Sequence, residues 1–117
     1  MIFTKNKRLT TTVPTPIVQL PNGFTGVWST LYVSNSGSTE NTLTIEITKN
    51  DDDDVTFLSN HAVEADGHFV LDLYTGIVLQ PEDVVTVTAG SSGTLDVMMT
   101  VDLSYSPLNT NRIGSLG

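Results

Sequence analysis

Residues 94–103, "TLDVMMTVDL", constrain the chain more than any other stretch. Leu95, Val97, Met99, Val101 and Leu103 fall on one side of a strict alternation, with Thr94, Asp96, Met98, Thr100 and Asp102 on the other. A period of two is the signature of extended backbone, where successive side chains point to opposite faces. A helix would scatter the same five apolar residues around its circumference. This segment therefore predicts a long strand with one face that needs cover and one that is mostly polar.

The same alternation recurs along the chain. In "TLTIEIT", Leu43, Ile45 and Ile47 face one way, with Thr44, Glu46 and Thr48 opposite. "GVWSTLYVS" puts Val27, Leu31 and Val33 on one side and Trp28, Thr30 and Tyr32 on the other. "HFVLDLY" sets Phe69, Leu71 and Leu73 against His68, Val70 and Asp72, and "VVTVTA" directs Val85, Val87 and Ala89 inward. A weaker strand carries Val55 and Phe57. Between these runs stand "NSGSTEN", "KNDDDD", "EADGH", "YTG", "QPED" and "AGSSG", whose Gly, Pro, Asn, Asp and Ser favour turns. Frequent threonines suit half-buried strands. Short strands about ten residues apart, with no helical period, predict an all-β fold: a single antiparallel β-sandwich, jelly-roll-like or Ig-like.

The two ends depart from this pattern. Residues 1–22 contain Pro14, Pro16 and Pro21, and only "PIVQL", with Ile17, offers apolar residues in a strand-like run. Proline cannot donate to a sheet ladder, so this segment is expected to be an edge strand or an extended N-terminal arm. Residues 106–117, "SPLNTNRIGSLG", carry isolated Leu108, Ile113 and Leu116 beside Arg112. They read as an extended C-terminal tail whose apolar anchors suit docking on a neighbour. The organisation expected is thus an arm (1–22), a sandwich (23–105) and a tail (106–117).

Charge is unevenly placed. Lys5, Lys7, Arg8 and Arg112 lie near the ends, and residues 9–111 hold all 13 acids against the single base Lys49, a net of −12. So acidic a body repels phosphate backbones and argues against nucleic-acid binding. The basic N-terminal residues read either as an arm that lies on the acidic body of a neighbouring copy or as a disordered basic terminus. No run approaches the length of a membrane span, and no cysteine is present for disulfides or thiolate metal sites. These features lead us to expect a protein made and kept in a cytoplasm, with no membrane partner.

Three clusters invite a chemical reading. "NDDDD" (50–54) lacks the spaced oxygens, bend glycine and closing glutamate of a calcium loop, and neighbouring side chains on extended backbone diverge; a solvated acidic loop is expected. His61, Glu64, Asp66 and His68 surround a turn and do not match a zinc pattern. No nucleophile motif or phosphate loop is present. No catalytic, metal or cofactor site is expected. Trp28, Tyr32 and Met98 face away from the apolar stripes and are candidate interface anchors, together with Lys5, Lys7, Arg8, Ile17, Leu108, Arg112 and Ile113; the alternative for the first three is burial within the chain, by a sheet covered on both sides or by the N-terminal arm.

"LYVSNSGSTENTLTIEI", "HAVEADGHFVLDLYTGIVLQPEDVVTVTA" and "TLDVMMTVDLSY" resemble a group of small β-sandwich virion proteins encoded by tailed bacteriophages. That group shows a "YVSN" strand, a Thr-rich pairing strand and a turn of the type "LqpGD". The resemblance spans roughly residues 27–105. This chain has "QPED" at the turn and ends in "VDLSYSP" with a further tail. The resemblance implies a non-enzymatic structural protein of the virion, synthesised in the host cytoplasm. It implies capsid decoration or cement, with the major capsid protein and copies of itself as partners. A neck or tail adaptor forming a ring is the alternative within the virion. A carbohydrate-binding sandwich, stacking sugar on Trp28 or Tyr32, is the alternative from another class.

Overall fold

The computed structural model describes residues 1–50 and 52–105. These form eight strands: β1 (Ile2–Leu9), β2 (Thr15–Gln19), β3 (Phe24–Asn35), β4 (Asn41–Thr48), β5 (Val55–Val63), β6 (His68–Leu79), β7 (Val84–Ala89) and β8 (Leu95–Tyr105). They make two four-stranded sheets, a front sheet ordered β1-β8-β3-β6 and a back sheet ordered β2-β7-β4-β5. All pairings are antiparallel, and β1–β8, β2–β7, β3–β6 and β4–β5 pair in nested fashion. The chain is therefore a long double ribbon, folded so that alternate rungs join opposite sheets. That winding is the jelly roll, and it decides between the two sandwich topologies expected from the sequence.

The alternation read from sequence locates the core. Leu31, Val33, Leu43, Ile45, Val85, Val87, Leu95, Met99 and Val101 are fully enclosed between the sheets. Each such side chain contributes roughly 1.5–3 kcal/mol relative to exposure. The buried polar side chains Asn35, Asn41 and Asp83 all have partners. Asn35 donates to the carbonyls of Thr39 and Val63, and Asn41 donates to the Ser91 carbonyl and Thr94 Oγ1, tying the β3–β4 and β7–β8 loops to the sandwich.

Three expectations need correction. Residues 1–22 are not an arm apart from the sandwich: β1 pairs with β8 from Ile2↔Asp102 to Leu9↔Leu95, and β2 pairs with β7. Each is an edge strand, where Pro16 is tolerated. Trp28 is fully buried rather than exposed. A bulge between Trp28 and Thr30 inserts Ser29 into β3 and reverses the parity upstream of it, turning Trp28 inward and Val27 outward. Finally, "YTG" (74–76) does not end a strand. It is a bulge inside β6, where residues 73–76 lie opposite Ser29 alone.

Candidate interaction face

The outer face of the front sheet is built in rows by the pairing register. One row runs Asn6–Met98–Tyr32–Val70 across β1, β8, β3 and β6. The next runs Arg8–Asp96–Ser34–His68, and a third joins Ile2, Asp102, Val27 and Val78. Among the described residues eleven large hydrophobic side chains are exposed; Val55 alone lies on a back-sheet strand, and Met1 and Val13 lie outside strands. The remaining eight belong to the front sheet, Tyr32, Val70, Val78 and Met98 among them. The back sheet instead presents Thr42, Thr44, Glu46, Thr48, Thr86 and Thr88 outward, as the partners of the buried positions between them. A concentration of apolar side chains on one sheet marks it as the surface suited to contact.

Electrostatics on this face are paired. Arg8 donates from Nε to Asp96 Oδ1 at 2.8 Å and from its Nη2 to Oδ2 at 3.1 Å, a two-pronged contact. That hydrogen bond and charge hold the Asp96 carboxyl below the ordinary range, against the opposing effect of its partial burial. The N-terminal ammonium donates to Asp102 Oδ1 at 3.0 Å and to the Leu103 carbonyl at 2.7 Å. Asp72 is exposed in β6 without such a partner among the described residues.

Two relief features interrupt the sheet. A shallow basin of about 490 Å³ opens among Asn6, Arg8, Tyr32, Ser34, Asp96 and Met98. His68 stacks beside it on Tyr32, with ring centroids 5.9 Å apart. The opposite relief is a knob: the β6 bulge projects Tyr74, 94 % exposed. The bulge is fixed by Gly76, whose φ of +76° suits glycine and where a Cβ would come within 2.3 Å of Val27 Cγ1.

The sequence-derived candidates divide accordingly. Tyr32 and Met98 lie side by side on the exposed face, and Arg8 borders the same basin. Lys5 and Lys7 are exposed on β1, on the side shared with Phe3 and Leu9, and Lys5 Nζ sits 5.7 Å from the Phe3 ring centre. Ile17 is a core residue, 9 % exposed, buried beside Val18 at the register shift between Pro16 and Val18 in β2. Trp28 packs on Phe57 with centroids 4.8 Å apart and donates from Nε1 to the Thr30 carbonyl, so it can neither anchor a partner nor stack on sugar. Leu108, Arg112 and Ile113 lie outside the described residues. Sequence reading missed Val70, Val78 and Tyr74. Val70 was visible as the polar-side exception in "HFVLDLY".

The other clusters serve the fold. Asp54 accepts from the Lys49 N–H and Asp52 from the Asp53 N–H, so these carboxylates cap their own loop. His61 meets the edge of Phe69 at 4.8 Å. Among the described residues no helix is long and apolar enough to cross a membrane.

No family model matches the sequence. No curated protein matches it either. Solved structures do overlap. A chain of the acidic stable capsid structure of Helicobacter pylori bacteriophage KHP30 is 11 % identical with a TM-score of 0.50, covering 92 % of this chain and 89 % of that one. A chain of infectious bursal disease virus, Gx strain, is 8 % identical with a TM-score of 0.53, covering 93 % of this chain but only 34 % of that one. At these identities the likeness is one of fold.

Proposed function

We propose that this chain is a non-enzymatic structural protein of a tailed-phage virion, a decoration or cement protein that bridges major capsid subunits. The observation that carries the reading is the overlap with a phage capsid chain of nearly equal length, each covered almost throughout. A single sandwich of this size has one sheet face rich in exposed apolar side chains and another rich in threonine. Such a body suits an accessory that lies on a shell with one face engaged and the other wet. Its action would be mechanical. Repeated contacts over a lattice sum to strong resistance even where each buries no more than the ordinary ~1,600 Å². The front sheet would supply the contact and the β1 lysines would steer it toward acidic neighbours.

Quantitative mass spectrometry of purified particles tests this. A ratio to the major capsid protein near one, or a fixed simple fraction, is expected. A few copies per hundred would replace the shell with a neck or tail ring. Absence from particles would refute the virion reading.

A further inference from the structure

The two sheets end in four edge strands, β1, β6, β2 and β5, and an edge presents backbone donors and acceptors to which a further strand can add. Three of the four are guarded. β1 turns Lys5 and Lys7 to its inward side, and β2 is five residues long and contains Pro16. β5 breaks its register against β4 on both sides of Ile45, and its Asn60 has a φ of +47°. The fourth edge, β6, is twelve residues long with no proline, lysine or arginine, and residues 68–72 run in unbroken register with β3 ahead of the bulge. The Asn35 N–H donates to the Gly67 carbonyl at 2.8 Å. By strand alternation Phe69 and Leu71 then point their backbone groups at β3, and His68, Val70 and Asp72 point theirs away from the sheet. Among the described residues no strand lies beyond β6 to receive them.

This edge is complementary to itself. A twofold axis through Val70, perpendicular to the sheet, sets Val70 opposite the partner's Val70, His68 opposite the partner's Asp72 and Asp72 opposite the partner's His68. These are the residues whose backbone groups face outward, so each facing pair can exchange both N–H···O=C bonds. On the outer side Asp72, exposed and without an ion-pair partner among the described residues, meets an imidazole that can donate an N–H to it. On the inner side Phe69 of each copy lies opposite Leu71 of the other. Both are half-buried against the core, and the pairing covers the apolar surface that one copy leaves at its rim. No like charges face each other in this register. An axis through Leu71 would carry the pairing into the bulge at Tyr74, and an axis through Asp72 would oppose two carboxylates.

We infer that this chain self-associates edge to edge through residues 68–72 of β6, as an antiparallel twofold pair centred on Val70 that joins two front sheets into one continuous sheet. The axis keeps both outer faces on the same side, so the pair leaves them to the partner proposed above. The inference does not rest on the virion assignment. Particle counting can fail while the pair stands, and the reverse.

The absence of cysteine makes the test direct. Hydrogen-bonded antiparallel partners have Cα atoms ~5.5 Å apart, within the range of a disulfide. Val70 is 58 % exposed, so V70C leaves the core untouched. Mild oxidation of V70C is expected to give a covalent dimer. V78C, 54 % exposed on the same strand but beyond the bulge, is expected to stay monomeric. H68C and D72C should each stay monomeric alone and join when mixed, because position 68 faces position 72. Sedimentation of the unmodified full chain at about 100 µM is expected to give a dimer, since micromolar affinity suffices there. V70K sets two ammonium groups against each other at the axis and should weaken the dimer at least about tenfold with an unchanged melting temperature. A monomer at that concentration would overturn the inference and leave the edge to a strand of another protein or to residues 106–117. Cross-linking of V78C as readily as V70C would also overturn it, as would a dimer that V70K leaves intact.

Discussion

Asp83 offers the sharpest test of how the sandwich is held together. It is 1 % exposed in the β6–β7 turn. Its carboxylate accepts from Lys49 Nζ, from the Asn50 N–H at 2.9 Å and from the Gln80 N–H at 2.8 Å. One side chain thus joins the β6–β7 turn to the end of β4. Burial alone would push its pKa up; the Lys49 hydrogen bond, the two backbone donors and the Lys49 charge outweigh that and leave it below the ordinary carboxylate value. D83N removes the charge but keeps an acceptor for part of the backbone. Removing one partner of a buried pair costs roughly 3–5 kcal/mol, and Lys49 at 19 % side-chain exposure recovers some hydration. A loss of about 2–3 kcal/mol is expected, or about 10 °C in melting temperature for a domain of this size. The pH dependence follows from the sign. A depressed carboxylate pKa gives stability that is full above the unfolded value near 3.9 and is lost as pH falls through the folded value. Urea denaturation at pH 7 and at steps down to about pH 3 should therefore show a gap between wild type and D83N that is constant above about pH 5 and narrows below about pH 4. A gap under about 0.5 kcal/mol at pH 7, or one unchanged at the lowest pH, would refute the reasoning.

Two further outcomes follow from the same structure. W28A should cost about 3–5 kcal/mol in thermal or urea unfolding, since it empties the largest enclosed side chain of the core and removes its packing on Phe57. K5V/K7V should change monomer stability by under about 0.5 kcal/mol yet raise light scattering on standing. The two lysines sit on the inward side of edge strand β1, where charges discourage edge-to-edge pairing.

Where alternation was unbroken, the sequence read true. Strands β4, β7 and β8 have the faces expected, and their buried sets are those picked out by period two. Failures came where one residue breaks the count. Ser29 has no partner opposite it in β8, and its insertion alone moved Trp28 from the surface to the core. Residues 73–76 have turn-like composition, but the strand resumes at Ile77 opposite Trp28. β1 escaped notice for a different reason. As an edge strand it has little to bury, so Phe3 and Leu9 share their side with Lys5 and Lys7 and no apolar stripe forms.

The exposed apolar face of the front sheet was only partly readable, through Tyr32 and Met98, and for a topological reason. Its members Tyr32, Val70, Val78 and Met98 come from β3, β6 and β8, scattered as apolar exceptions among the outward positions of three separate strands. Single exposed apolar residues carry no message. The jelly-roll order puts β8 beside β3 and β3 beside β6, so the exceptions become neighbours in one row, Met98–Tyr32–Val70. Meanwhile β4 and β7, whose outward positions are mostly threonine, pair with each other on the back. A sandwich with the same strands but β4 between β3 and β8 would part Met98 from Tyr32 and break up that row. The distinct chemistry of the two faces is therefore a product of strand order acting on outward residues. The same order sets the Tyr74 knob and the basin on one surface.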